Sequence, residues 1–458
     1  MGSPGLAKAM AKMRDAGVDD VAVQTFAHYY RQLEHGETGM IPEETIEPVD
    51  IPSISDAVVT DEEAHAAIST TAVIKLNGGL GTSMGMDRAK SLLCVRKGLS
   101  FLDVIARQIL HMREKYDVRL PLLLMNSFRT SEDSLAALER YQDLPVEGLP
   151  LEFLQNREPR LLVDNLTPVE WPKDPELEWC PPGHGDIYTA LLDTGLLDLL
   201  IEQGYERVFV SNSDNLGAVP DEKVAGWFAK SGAPFAIEAV RRTPSDRKGG
   251  HFARRKSDGR LILRETAQTL DEDKVALQDL NRHKYCSTNN IWFDLKALKK
   301  VLSERDGILG LPLIRNEKTV DPADPKTPKV VQIETAMGAA IEVFEGSQLI
   351  EVGRDRFVPV KTTNDLLVLR SDVYDIGDNF VLDQVADVVP FIDLDGDYYK
   401  YVANFDERFP EGAPSLRKAA SLTVNGDWTF GKGVQVIGAV SLDGANAERV
   451  APATVLSD

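Results

Sequence analysis

Cysteine is scarce in this chain of 458 residues: Cys94, Cys180 and Cys286 stand far apart, with no CxxC spacing. No disulfide framework can be read from them, and a reducing, cytoplasmic compartment is the natural expectation. Basic residues are outnumbered, 51 against 72 acidic, for a net charge of −21. A nucleic acid or an anionic membrane needs a basic face, so neither is expected as a partner. No run of 18 apolar residues exists, and the N-terminal stretch has no signal-type apolar region. Leu6 stands where a myristoylation signal needs Ser or Thr, so lipid anchoring is not expected either. What is present is ordinary for a soluble globular protein: 43% hydrophobic and 27% charged residues, and length for two or three domains. If so acidic a chain binds phosphate, the site must be locally basic or metal-assisted.

Leu6, Met10, Met13, Val21, Val23, Phe26, Tyr30 and Leu33 recur at mostly helical spacing, broken at Gly17, and predict helices over 5–35. From 71 to about 240, short apolar runs (71–76, 120–125, 151–154, 206–211, 234–240) alternate with amphipathic stretches (99–116, 187–203). That alternation predicts an α/β fold with a doubly wound, mostly parallel mixed sheet of Rossmann-like type. Residues 241–293 read as shorter β segments with turns at Lys248-Gly249-Gly250 and Ser257-Asp258-Gly259. The polar, Pro-rich stretch 316–329 reads as a mobile loop. Four consecutive hexads fill 422–445, with Leu422, Trp428, Val434 and Val440 in first position. Such a period predicts a short C-terminal left-handed parallel β-helix of little more than one coil. Its open ends need a cover. A homodimer through the C-terminal domain is the economical one, with Trp428 or Phe430 near the contact. Failing that, residues 446–458 would fold back as a cap.

The chemistry is densest in TAVIKLNGGLGTSMGMDRAKS, residues 71–91. An apolar run ends in a loop carrying Gly78, Gly79, Gly81 and Gly85, and Lys90 follows. Glycines let backbone N–H groups close on a phosphate, and a lysine adds a point charge. Two familiar loops are excluded. A P-loop GxxxxGK(S/T) set on Lys90-Ser91 needs glycine at Met84 and Ala89; a dinucleotide GxGxxG set on Gly79 and Gly81 needs one at Met84. On these residues alone, a tight βα turn without a ligand stays open.

Four other segments carry candidate groups. In WCPPGHGDIY (179–188), Gly183 and Gly185 let backbone lie against a ligand and Asp186 can cap the next helix; a plain junction with a solvated His184 is the alternative. VFVSNSDNLG (208–217) sets Asn212 and Asp214 at the carboxyl end of a buried strand, where α/β proteins place ligands and where Asp214 could hold Mg²⁺. A turn-forming Asp-Asn pair is the bland reading. Glu265 in LILRETAQ and Asn289-Asn290 in CSTNNIWFDL suit sugar hydroxyls, unless Glu265 is a surface strand residue. VGRDRFVPVKTTNDLL (352–367) gathers Arg354, Arg356 and Lys361 among apolar neighbours, which argues for partial burial over a solvated face.

In order and wording, these segments resemble the eukaryotic-type UTP–glucose-1-phosphate uridylyltransferase (UDP-glucose pyrophosphorylase) family over about residues 70–440. LNGGLGTSMG with its K-S lysine is similar to the family signature, and Ser83-Met84 replaces the Arg-Leu of the wider nucleotidyltransferase pattern. Ala89 stands where the family usually has proline. The resemblance implies a Mg²⁺-dependent nucleotidyltransferase acting on UTP and glucose 1-phosphate. It implies Lys90 on the triphosphate and Lys361 on the sugar phosphate as catalytic groups. It implies Leu76, Asn77, Gly78, Gly79, Gln155 and Gly183 at the nucleotide, with Gln155 and Gly183 reading uracil. His184, Asn212, Asp214, Gly250, Glu265, Asn289 and Asn290 would meet the sugar and its phosphate, with Asp214 on the metal. The implied domains are an N-terminal helical segment (1–50), a catalytic domain (51–372) and a C-terminal domain (373–458). Ser83-Met84 argues against a UDP-N-acetylhexosamine pyrophosphorylase; Lys90, Asp214 and Lys361 together argue against a non-catalytic nucleotide-sugar-binding scaffold; four hexads are too few for a hexapeptide acyltransferase.

Overall fold

The computed structural model describes residues 3–247, 249–444 and 446–457. Lys248 of the glycine turn and Ala445 of the last hexad lie outside them. Among the described residues, a seven-stranded sheet comprises β1 (Thr71–Asn77), β2 (Leu122–Asn126), β3 (Glu152–Leu154), β4 (Arg207–Asn212), β5 (Phe235–Arg241), β6 (Tyr285–Asp294) and β7 (Gln348–Glu351). Their order is β7-β5-β6-β4-β1-β2-β3. Strands β4, β1, β2 and β3 pair in parallel, as do β5 and β7, while β6 runs against both its neighbours. The fold is thus mixed α/β with a mostly parallel sheet, and the apolar runs of the sequence are its buried strands.

Alternate residues of β1 feed two cores. Ala72 and Ile74 face one, shared with Leu6 and Met13 of helix α1 (Pro4–Asp15) and Phe26 and Tyr30 of helix α2 (Asp20–Glu34). Val73 faces the other, shared with Phe101 and Ile105 of helix α3 (Phe101–Tyr116) and with Leu422, Val424 and Phe430 of the tail. The N-terminal helices and the tail therefore pack on opposite faces of one sheet.

Three expectations need correction. The single helix over 187–203 is two, α4 (Ile187–Asp193) and α5 (Leu196–Glu202), because Gly195 at φ +72° breaks it. The expected loop 316–329 is mostly a hairpin: Ile314–Thr319 pairs antiparallel with Lys329–Glu334, and only the Pro-rich turn between them is irregular. Phe430 is fully buried and stacks on Phe409 at 4.9 Å, so it has no face to offer a second subunit.

The tail forms parallel ladders. Phe391–Leu394, Ser415–Asn425, Gln435–Asp443 and Val455–Ser457 lie side by side, with Leu422 opposite Val440 and Val424 opposite Leu442. Residues past 445 extend these ladders and do not cap them: Glu448–Val450 pairs with Trp428–Phe430, and Val455–Ser457 with Gln435–Ile437. Among the described residues, no helix is long and apolar enough to cross a membrane.

Candidate active site

The loop after β1 folds back on itself. Leu80 bridges Ala89, and the Lys90 N–H donates to the Gly79 carbonyl at 3.1 Å. Ala89 has φ −53°, within a proline ring's range, so the loop keeps the family's proline shape without the proline. Lys90 is thereby set on the rim. Its Nζ donates to Asp214 Oδ2 at 2.7 Å and to the Val360 carbonyl. One ammonium thus joins the loop after β1, the loop after β4 and the segment leading to Lys361. The last two are also joined directly: Asn215 pairs with Pro359, and the Val360 N–H donates to the Asp214 carbonyl at 3.2 Å.

Gln155 and Gly183 are both closely packed against neighbouring segments. The Gln155 amide covers Gly78, where an added Cβ would lie 2.8 Å from Oε1. Gly183 has φ +81°, and a Cβ there would lie 2.5 Å from the Thr335 carbonyl, so both sterics and backbone conformation demand glycine. His184 Nδ1 accepts the Met337 N–H at 3.0 Å, which leaves the proton of the neutral ring on Nε2. Burial holds its pKa down to about 4, so near pH 7 it is a neutral donor. Asp186 does not cap α4. Its carboxylate takes the Asn156 N–H at 2.6 Å and Nδ2 at 3.1 Å, and burial pushes its pKa up to about 6.

Beyond Asp214 opens a cavity of about 430 Å³ lined by Asn212, Asp214, Gly250, Glu265, Asn289 and Lys361, with Asp246, Cys286 and Thr288. Glu265 lies against Gly250, where a Cβ would be 2.6 Å from Oε2. Burial raises the Glu265 pKa, and the Lys361 charge opposes that rise. Among the described residues the Lys361 ammonium has no hydrogen-bond or ion-pair partner, while its N–H is held by Asp365 Oδ2 at 2.8 Å. Asn289 reaches the cavity through a bulge: Ile237 pairs with Ile291 and Ala239 with Ser287, so Thr288–Asn290 oppose Glu238 alone. Its φ of +59° is the local strain that turns the side chain inward. Asp214 Oδ1 is buried and without a partner among the described residues.

One candidate is not where the sequence put it, and another is partly engaged elsewhere. Asn290 points the other way, fully buried, its Nδ2 on Glu238 Oε2 at 2.9 Å, so it cannot meet a sugar. Asn77 donates both Nδ2 hydrogens, to Asn126 Oδ1 (2.7 Å) and Ser134 Oγ (2.9 Å), which leaves its Oδ1 and its backbone for a nucleotide. Leu76 engages through its carbonyl, which takes the Ser213 N–H at 3.1 Å.

A supporting residue was missed. Glu238 of β5 is wholly buried and accepts from Arg356 Nε (2.7 Å) and Nη2 (2.6 Å), Asn290, and Trp292 Nε1 (2.9 Å). This forked pair anchors the segment that ends in Lys361. The sequence signal was a lone acid inside the apolar run PFAIEAV. Elsewhere, Glu43, His251 and His283 lie close enough to hold a metal, but Arg264 and Arg282 already neutralise the carboxylate. The two rings stack at 3.7 Å, and the cluster is a polar core beneath the Gly250 wall.

The fold, with Lys90, Asp214 and the segment of Lys361 meeting from three loops at the carboxyl end of its parallel strands, is that of a nucleotidyltransferase. The sequence model for UTP–glucose-1-phosphate uridylyltransferase matches residues 23–436, and the chain belongs to that family. It is 38% identical over 451 residues to the UTP–glucose-1-phosphate uridylyltransferase of Hordeum vulgare, spanning 96% of this chain and 92% of the relative. Among solved structures it is similar to UDP-glucose phosphorylase from Trypanosoma brucei (TM-score 0.93, 42% identity, 99% of this chain and 98% of that one). It is equally similar to a variant of UDP-glucose pyrophosphorylase from Leishmania major in complex with UDP-glucose (TM-score 0.94, 41% identity, 100% and 99%).

Proposed function

We propose that this chain transfers the uridylyl group of UTP to glucose 1-phosphate, giving UDP-glucose and pyrophosphate. The observation that carries the site assignment is the junction at Lys90, where the glycine loop, Asp214 and the Lys361 segment meet. An oxygen of the sugar phosphate attacks the α-phosphorus in line, and the bond to the bridging oxygen of the leaving pyrophosphate breaks. The attacking phosphate is already anionic, so no general base is needed. Positioning and charge neutralisation do the catalysis.

Each side chain then has a task. Backbone of Leu76 to Gly79 and the Lys90 ammonium hold the triphosphate; Gln155 and Gly183 read the uracil edge. Lys361, whose ammonium has no partner among the described residues, clamps the sugar phosphate, and His184 donates from Nε2 beside it. Asn212, Gly250, Glu265 and Asn289 receive the sugar hydroxyls. Asp214 suits Mg²⁺: its Oδ1 is an unpartnered anionic oxygen, and this ion takes one or two carboxylates together with substrate phosphates. When bound, Mg²⁺ would neutralise charge on the phosphates undergoing transfer.

Further readings rest on the fold. The division at about residues 50 and 372 and a cytoplasmic location fit the composition. Leu422 and Val440, paired eighteen residues apart, match the three-hexad coil of a left-handed β-helix. A homodimer through the C-terminal domain is supported by Val455, which is exposed on the outermost strand of the tail ladder. Sedimentation equilibrium at micromolar concentration tests it, and a clean monomer removes it. The activity is tested by pyrophosphate release from each of UTP, ATP, GTP and CTP with glucose 1-phosphate. Strong preference for UTP is expected, and equal use of ATP would sink the reading.

A further inference from the structure

Lys75 lies in β1, three residues before Gly78, and is 1% exposed. Its neighbours on that face, Val73 and Phe209, belong to the apolar core. Burying an ammonium costs several kcal/mol, and a methionine would fill similar space without that cost. The ammonium is nonetheless engaged at both ends of one segment. Nζ donates to Ser211 Oγ at 2.7 Å and to the Ala218 carbonyl at 2.7 Å. Ser211 is the register partner of Lys75 on the parallel ladder, so the first bond ties β1 to β4. The second spans the loop between, and Asp214 is in that loop. The charges facing the ammonium are Asp214 and Glu238, which favour it, and Arg356, which opposes it; Lys90 sits on the other side of Asp214. Burial, helped by Arg356, brings the lysine down to about 7.

We infer that Lys75 is a positioning residue for the transfer reaction: by bridging both ends of segment 211–218 it fixes where Asp214 presents its free oxygen. The inference rests on the reading of Asp214 as the metal carboxylate. It also accounts for a charge in the middle of a core strand, a local rule broken where function requires it.

Full-length Lys75→Met, Ser211→Ala and Asp214→Asn variants test this together. Thermal unfolding, kcat, KM for UTP at saturating magnesium, and the Mg²⁺ concentration for half-maximal rate are measured on each. Lys75→Met is expected to unfold cooperatively, to lower kcat by about 10-fold or more, and to raise half-saturating Mg²⁺ by about threefold or more, with KM for UTP within about twofold of wild type. Ser211→Ala, which removes one of the two bonds and keeps the charge, is expected to show the same pattern at smaller amplitude. A purely structural lysine would shift the melting temperature without the split between KM and magnesium. If Lys75→Met does not fold, Ser211→Ala decides alone. Wild-type magnesium dependence in Ser211→Ala and in any folded Lys75→Met, beside a shifted Asp214→Asn, overturns the role of Lys75. Unchanged magnesium dependence in Asp214→Asn itself overturns the metal reading, and the inference falls with it.

Discussion

Replacing Arg356 by methionine tests whether a buried ion pair behind the cavity segment sets the geometry of this site. The Arg356 side chain is 11% exposed and that of Glu238 0%. Removing the guanidinium leaves the carboxylate with two neutral donors, Asn290 Nδ2 and Trp292 Nε1, both at 2.9 Å. Breaking such a buried pair costs about 3–5 kcal/mol, with the Lys75 ammonium as the remaining cation facing the carboxylate. For a chain of 458 residues the unfolding entropy is about 1 kcal/mol per kelvin, so the melting temperature should fall by about 3–5 °C. Adding Glu238→Gln removes the stranded charge and should recover at least half of that loss. Activity should not recover with it. The guanidinium also reaches the Val219 carbonyl at 3.0 Å, and the segment it anchors is pinned again where Val358 N–H meets Asn215 Oδ1 at 2.9 Å. Without the anchor Lys361 loses its placement, and an error of about 1 Å costs about 10²-fold in rate. Differential scanning calorimetry and a coupled pyrophosphate assay read the two effects separately. A single variant melting within about 1 °C of wild type, or a double variant with full kcat/KM, would refute the reasoning.

Lys361→Ala should lower kcat by about 10²–10³ without a change in melting temperature, and near-normal turnover would move the sugar-phosphate clamp elsewhere. Asp214→Asn should raise the magnesium needed for half-maximal rate and lower the maximum, because a neutral amide is the poorer ligand; an unchanged titration returns Asp214 to a turn-forming role. Gly183→Ala places a Cβ 2.5 Å from the Thr335 carbonyl at a positive φ, so KM for UTP should rise by about tenfold or more, and a normal KM would contradict a backbone contact at uracil. His184 is held near 4 when folded and lies near 6.5 when unfolded, so the unfolded chain gains the proton first as pH falls. The His184 contribution to stability should therefore drop between about pH 6.5 and 4, by at most about 3 kcal/mol, against an opposite contribution from Asp186, whose pKa is raised to about 6; a His184→Gln variant as acid-sensitive as wild type would show that this ring is not the cause.

Strands β1 to β5 were legible because each contains a short apolar run, and the glycine loop because its motif is local; β7 was not read as a strand, and β6 only as part of a region of shorter β segments. Asn289 and Asn290 show where legibility ended. Adjacent amides in a strand face opposite sides, but a bulge with positive φ decides which of them faces the cavity, and no local residue type announces it. Glu238 was hidden for a related reason: its four donors come from β5's neighbour β6 and from Arg356, far away in sequence. The tail past Asp443 was misread because its spacing changes. Leu422 faces Val440 at eighteen residues, but Trp428 faces Glu448 at twenty, so an insertion erases the hexad period while the ladder continues. Residues 316–319 read as part of a loop because an exposed hairpin strand has no apolar run to show.

One face of β1 explains how this end of the sheet can carry three converging loops. Val73, Lys75 and Asn77 share that face and pass from apolar to charged to amide toward the glycine loop. Val73 is held by packing, Lys75 reaches sideways to Ser211 on β4, and Asn77 reaches the other way to Asn126 on β2. Side-chain bonds thus continue the lateral cohesion of the sheet where the backbone ladder runs out, and the loops start from a fixed base. Preorganised charge is effective only on such a base, because reorganisation during the reaction would consume the stabilisation it supplies. The same economy governs the cations. In a chain of net charge −21, Arg356 is matched by Glu238 and Lys90 by Asp214, while Lys361 is left without a partner among the described residues. The unmatched charge faces the cavity, where the proposed sugar phosphate would complete it.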